Sequence, residues 1–185
     1  NENTAKKTKT TKTTKTIHGI EKQTTKETAD QIQQGIAKEI LRFHVLANSD
    51  SEEDQKLKLE VKDRLVDYMK DILDGAEDVK ETKKRITENQ ETICLVAEQE
   101  IQKQGYTYPV SVNLEKCYFP MKTYGDCTFP AGTYEALRVC IGKAKGRNWW
   151  CVLYPGLCFA DSVNVIVPDE KKQELKNILI DEDYG

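Results

Sequence analysis

The chain has 185 residues, 38% of them hydrophobic and 32% charged, with a formal net charge of −3. That length suits one domain, and no stretch approaches the ~20 apolar residues of a membrane-spanning helix; the richest apolar patch, Trp149 to Ala160, is interrupted by Pro155 and Gly156. Six cysteines without a C-x-x-C pair, with only His18 and His44 to accompany them, argue against a structural zinc site.

Residues 1–35 read as a flexible, disordered Thr/Lys-rich leader, with five lysines against Glu2 in the first 16 residues. Such a segment lacks the apolar periodicity needed to offset ordering entropy. It has no arginine for bidentate contacts and no aromatic ring to stack on bases, so no nucleic-acid partner is expected. The chain begins at Asn1, which fits removal of a targeting segment by the cell or by cloning. Ile32 and Ile36 mark the approach to the fold.

A first strand is predicted over Ile40–Ala47, with Leu41, Phe43, Val45 and Ala47 on one face and Arg42, His44 and Leu46 on the other. A turn comes next, and Ser49 with Glu52 fits a capping box at a helix start. Leu57, Val61, Leu65, Met69 and Ile72 form a stripe at helical spacing that Gly75 ends. A second helical stretch covers Asp78–Gln104, broken near Thr87–Asn89, with Ile86, Ile93, Ala97 and Ile101 inward. Strands come after it: Val110, Val112 and Leu114 alternate, Pro120, Gly125-Asp126 and Pro130-Ala131-Gly132 make bends, and Leu137, Val139 and Ile141 alternate again. The loop Gly142–Asn148 leads into a strong strand, Trp149–Tyr154. A strand at Val163–Val167 and a short helix at Asp169–Ile180 close the chain. The order predicts a two-layer α+β fold over residues 36–168, a mainly antiparallel sheet with a helical pair on one face, and a C-terminal helix or tail over 169–185.

No catalytic constellation stands out, and no cofactor or metal is expected. His44 is the one histidine of the predicted fold and reads as a surface or interface residue. Asp50–Asp54 are acidic where a helix N-terminus favours negative charge. Gly142-Lys143-Ala144-Lys145-Gly146 precedes a strand where a phosphate loop needs a helix. What remains is a surface feature: Lys143, Lys145 and Arg147 lead into Asn148-Trp149-Trp150-Cys151. Alternation along a strand lets only one of the two tryptophans face the helical layer.

Two motifs then resemble a known family. Arg42-Phe43-His44-Val45-Leu46-Ala47-Asn48-Ser49-Asp50-Ser51, followed by Asp54-Gln55 and Leu57-Lys58, is similar to the start of the stage II sporulation protein R family. The second motif comprises Phe119-Pro120, Lys122, Tyr124-Gly125, Pro130 to Arg138, Asn148 to Pro155 and Leu157-Cys158-Phe159. Together they cover most of residues 40–160. The resemblance implies a non-enzymatic signal of endospore-forming bacteria, made in the forespore and exported to the space between the two membranes. There it would activate a membrane-embedded aspartic protease of the mother cell, which cleaves the precursor of the early mother-cell sigma factor; no stable membrane insertion of the signal itself is expected. The chain departs from the family pattern at Gly156, where a second proline is frequent, and in Cys94, Cys117, Cys127 and Cys140, which are additional to Cys151 and Cys158.

On this reading the receptor contact is expected to draw on Asn148, Trp149, Trp150, Arg147, Lys145, Arg42 and His44, since tryptophan and arginine most often anchor interfaces. Burial of both rings is the competing reading. Cys151 and Cys158 are expected to form a disulfide, because Pro155-Gly156 between them is a turn signal that can reverse the chain. Buried reduced thiols, or a bridge from Cys151 to Cys140, are the alternatives. Two other functions stay open: a cysteine hydrolase using one thiol with His44, and a scaffold protein of the sporulation septum.

Overall fold

Strand β1 (Leu41–Leu46) forms where alternation predicts it, and all six of its residues are buried. The computed structural model describes residues 30–124 and 127–159. The Thr/Lys-rich leader up to residue 29, His18, the turn at Gly125-Asp126, the strand at Val163–Val167 and the helix at Asp169–Ile180 all lie outside the described residues. The chain divides into two units between Gly35 and Ile36, and the sheet with its covering helices belongs to the second.

A helix, α1 (residues 30–39), occupies part of what the sequence reads as linker. Ile36 and Ile40 are buried, which supplies an apolar anchor that a purely polar leader would lack. Helix α2 (Glu52–Ile72) buries the expected stripe Leu57, Val61, Leu65 and Met69. Helices α3 (Val79–Glu88) and α4 (Gln90–Lys103) meet at Asn89, within the predicted break. Asn89 caps the end of α3 with its backbone N–H, and its Nδ2 donates to the Arg85 carbonyl at 2.8 Å.

Four strands form one sheet in the order β2-β5-β1-β6: β2 (Val110–Phe119), β5 (Gly132–Ile141), β1 and β6 (Asn148–Tyr154). The pairings β2–β5 and β1–β6 are antiparallel, and β1–β5 is parallel. The helices cover the face that carries Leu41, Phe43 and Val45, joined there by Leu137, Val139 and Leu153. Each fully buried aliphatic side chain there contributes roughly 1.5–3 kcal/mol relative to exposure. Between β2 and β5 the short strands β3 (Lys122–Tyr124) and β4 (Cys127–Phe129) pair as a separate two-stranded hairpin. A 3-10 turn, Leu157–Phe159, comes after β6.

The N-cap of α2 is Ser51, not Ser49: its hydroxyl accepts from the Asp54 N–H at 3.1 Å. Ser49 is taken up elsewhere, because its hydroxyl accepts from Ser51 N–H and donates to the Asp54 carboxylate at 2.5 Å. Asp54 also accepts from Asn48 Nδ2 at 2.8 Å. Burial by itself would raise the Asp54 pKa, but hydrogen bonds from Ser49, Asn48 and Tyr108 outweigh it and hold the carboxyl below its usual range.

This turn clasps the distant β5–β6 loop. The Asn48 side chain accepts from Lys143 N–H at 2.9 Å and the Asp50 carboxylate from Arg147 N–H at 2.8 Å. The carbonyls of Ala47 and Asn48 take Gly146 and Lys145, while Lys58 Nζ donates to the Arg147 carbonyl at 3.2 Å. Gly142 has φ +57 and lies against the Asn48 side chain; a Cβ on Gly146 would run into the Ser49 carbonyl. Neither position has room for a side chain.

Gly146→Ala is therefore expected to destabilise the fold by about 1–3 kcal/mol through overpacking against rigid backbone. Urea unfolding should show a lower midpoint at unchanged slope; a wild-type midpoint would mean that the loop is not clasped.

Candidate functional site

Arg42 points away from the helices and is 0% exposed, although it carries a permanent charge. Its guanidinium carbon lies 4.2 Å from the centre of the Phe119 ring, 4.8 Å from Tyr134 and 5.3 Å from Phe129. Nη2 donates to the Tyr124 hydroxyl at 3.3 Å. Cation–π contact with several desolvated rings replaces part of the hydration that the charge gives up. Burial pushes the Tyr124 hydroxyl up to about 12, despite the neighbouring positive charge.

His44, expected at a surface or interface, is 3% exposed. The reason is β6 beside it and Phe119 above it: the imidazole is tilted against Trp150 at 4.9 Å and against Phe119 at 5.2 Å. Burial first, then the charges of Arg138 and Arg42, lower its pKa to about 4. Cys117 Sγ lies 3.8 Å from His44 Nε2, the one approach among the described residues to the Cys–His pair that a hydrolase would use. The Cys117 thiol is itself raised, chiefly by burial. An activated pair requires a depressed thiol and a charged imidazolium; both shifts here run the other way, and the pair is neutral at pH 7.

The two tryptophans of β6 stand on opposite faces, as alternation requires. Trp149, on the helical side, meets Phe43 edge-on at 5.6 Å, with Lys62 Nζ 5.0 Å from its ring centre. Trp150, on the other side, meets Phe119 at 4.8 Å and has Lys122 Nζ at 5.7 Å. Both indoles are half-buried, so neither the fully buried nor the fully exposed reading describes them. Lys145 and Arg147 are exposed on the clasped loop just before β6. The structure thus brings Lys145, Arg147, Asn148, Trp149 and Trp150 to one edge of the sheet, and buries Arg42 and His44 on the inner strand beside it, His44 against Trp150.

Sequence reasoning did not pick out the aromatic cage. Phe119, Tyr124, Phe129 and Tyr134 recur five residues apart across Pro120 and Pro130, a spacing with no strand or helix period that nevertheless marks the hairpin. Cys151 and Cys158 are both free thiols. Their sulfurs converge on the Val152 carbonyl, Cys158 at 3.0 Å and Cys151 at 3.9 Å. Burial, followed by the hydrogen bond and charge of Cys151, raises the Cys158 thiol well above its usual value. No group of three or more metal-ligating side chains occurs among the described residues, and no described helix is long and apolar enough to cross a membrane.

Residues 37–164 match the family Stage II sporulation protein R. The chain belongs to this sporulation family. Stage II sporulation protein R of Bacillus subtilis strain 168 is 35% identical over 150 residues, which cover 79% of this chain and 65% of the relative. The chain thus spans just under two thirds of that relative's length. No solved structure matches it. The match includes every residue of the clasp, the cage and the tryptophan edge.

The burial of His44 has a measurable consequence. Its pKa is about 4 when folded and 6.5 in the unfolded reference, so the unfolded chain binds the proton more readily. The folded state should therefore lose up to about 3 kcal/mol as pH falls from 6.5 towards 4, relative to neutral pH. Urea midpoints across this range should fall steeply for the wild type and less so for His44→Gln. Equal slopes would show that His44 titrates normally.

Proposed function

We propose that this chain is a secreted sporulation signal that activates a membrane-embedded aspartic protease of the mother cell, which then processes the precursor of the early mother-cell sigma factor. Its place of action on this reading is the space between the forespore and mother-cell membranes. Family membership over residues 37–164 carries the sporulation role. The geometry of the β6 edge supports a ligand: two half-exposed indoles on β6 follow two exposed cations on a loop that the Asn48–Asp54 clasp already holds. A preorganised surface loses little entropy on binding. Lys145, Arg147, Asn148, Trp149 and Trp150 form the contact on this proposal, while His44 supports Trp150 from below and the buried Arg42 holds the ring of Phe119 on which Trp150 also packs. The hydrolase reading draws on Cys117 and His44, and their neutral state disfavours it.

Co-expression of the chain, the protease and the sigma precursor in a non-sporulating host tests the proposal. Precursor processing should depend on the chain, and Lys145→Glu with Arg147→Glu should reduce it at least ~10-fold with an unchanged circular dichroism spectrum. Processing that proceeds equally without the chain would refute the function. Full activity of the double charge reversal would move the contact elsewhere.

Export would also place Cys151 and Cys158 in an oxidising space. We infer that the two thiols, already sharing one acceptor, join there as a disulfide worth about 2 kcal/mol, near the lower end for so short a loop. A non-reduced tryptic digest of exported protein should contain the linked peptides. Alkylation of both residues, or a Cys151–Cys140 bridge, would reject the pairing.

A further inference from the structure

The tryptophan edge by itself is too small for a stable protein contact. Lys145, Arg147, Asn148, Trp149 and Trp150 make a short patch, whereas a specific interface engages roughly 20–30 residues and about 800 Å² on each partner. A contact centred on this edge must continue beyond β6, and exposed apolar surface indicates the direction. Among the described residues four large hydrophobic side chains are exposed: Leu59 on α2, Leu95 on α4, and Tyr118 and Met121 at the corner between β2 and β3. Tyr118 and Met121 are the most exposed of them, at 65% and 67%.

That corner adjoins the outer side of the tryptophan edge. Phe119, next to Tyr118 in the chain, is fully buried and packs against Trp150 at 4.8 Å. Lys122, next to Met121, holds Nζ 5.7 Å from the centre of the same indole. Leu95 belongs to α4, which lies against the start of β2 on the far edge of the sheet. Leu59 shares a flank of α2 with Lys62, whose Nζ lies 5.0 Å from the Trp149 ring centre, so it offers a competing direction along the helical side. Two observations favour the outer side. It presents two exposed hydrophobic side chains where the helical side presents Leu59 alone, at 44%. Its cation also lacks a counter-charge: Lys62 is ion-paired with Asp63, whereas Lys122 has no carboxylate partner among the described residues. Lys145 has none either, and Arg147 has Asp50 at 3.6 Å.

We propose that the receptor contact extends from the β6 edge onto the outer face, with Tyr118, Met121 and Lys122 as further contact residues. The surface they fit on the protease is apolar and carries carboxylates, which pair with Lys122, Lys145 and Arg147. This assignment rests on the receptor reading and adds to it the face used and the chemistry of the partner.

Binding of the full chain to the detergent-solubilised protease, followed by biolayer interferometry, tests it. Tyr118→Ser with Met121→Ser should weaken binding at least ~10-fold, and Tyr118→Phe with Met121→Leu should retain it. Lys122→Glu should slow association and flatten its dependence on salt. Leu95→Ser should bind as the wild type does. Circular dichroism and urea midpoints should stay at wild-type values, because the substituted side chains reach the surface. Wild-type affinity of the double serine variant would overturn the proposal, as would an unchanged association rate in Lys122→Glu. A loss caused by Leu59→Ser alone would turn the contact to the helical side and likewise overturn it. So would a double serine variant that loses only binding to phosphatidylglycerol vesicles, since the corner would then be a lipid contact. Failure of the wild-type chain to bind the protease at all would refute the receptor reading itself, and the wild-type arm separates that result from the others.

Discussion

The Arg42 guanidinium lies in the middle of a four-stranded sheet, and the organisation of the outer face results from housing that charge. An isolated buried cation in a low-dielectric interior is strongly unfavourable. Phe119, Phe129 and Tyr134 supply ring faces and Tyr124 an oxygen, and to do so the chain must fold β3 and β4 back over the sheet. Phe119 also covers His44, together with Trp150, and the charges of Arg138 and Arg42 then add to burial in keeping its imidazole neutral. Removing the aromatic cover would leave both side chains facing water on a strand whose other face is already committed to the core.

On the far side of β1 a second device works by hydrogen bonding. Asn48, Ser49, Asp50, Ser51 and Asp54 cap a helix and at the same time hold a loop almost a hundred residues away in sequence. One short turn thus fixes the start of α2, the register of β6 against β1 and the position of the basic loop. The polar character of this stretch is accounted for by structure: the side chains of Asn48, Ser49, Asp50, Ser51 and Asp54 each accept an N–H. The loop it holds is the one that carries Lys145 and Arg147 to the tryptophan edge, so rigidity generated in the turn is available at the proposed contact surface.

Strand alternation alone places the two tryptophans on opposite faces, as observed. Their half-buried state depends on Phe43 and Lys62 on one side and on Phe119 and Lys122 on the other, residues from four different elements. Alternation along β1 likewise read correctly as two faces, but Arg42 and His44 gave the second face the appearance of a solvent side.

The sequence by itself determined the elements whose signals are local: the α2 stripe, the break at Asn89, the β1, β2, β5 and β6 strands, and the motifs that mark the family. Helix periodicity and strand alternation are written in neighbouring residues, so no tertiary information is needed to read them. Tertiary structure alone decided that β1 is central and runs parallel to β5, that Ser51 and not Ser49 caps α2, that the β3–β4 hairpin helps bury Arg42, and that Phe119 and Trp150 bury His44. Apart from the cap, whose partners lie within a few residues, these depend on pairings across tens of residues, where the stabilising partner of a polar side chain is an aromatic ring or a backbone amide that no local pattern can announce.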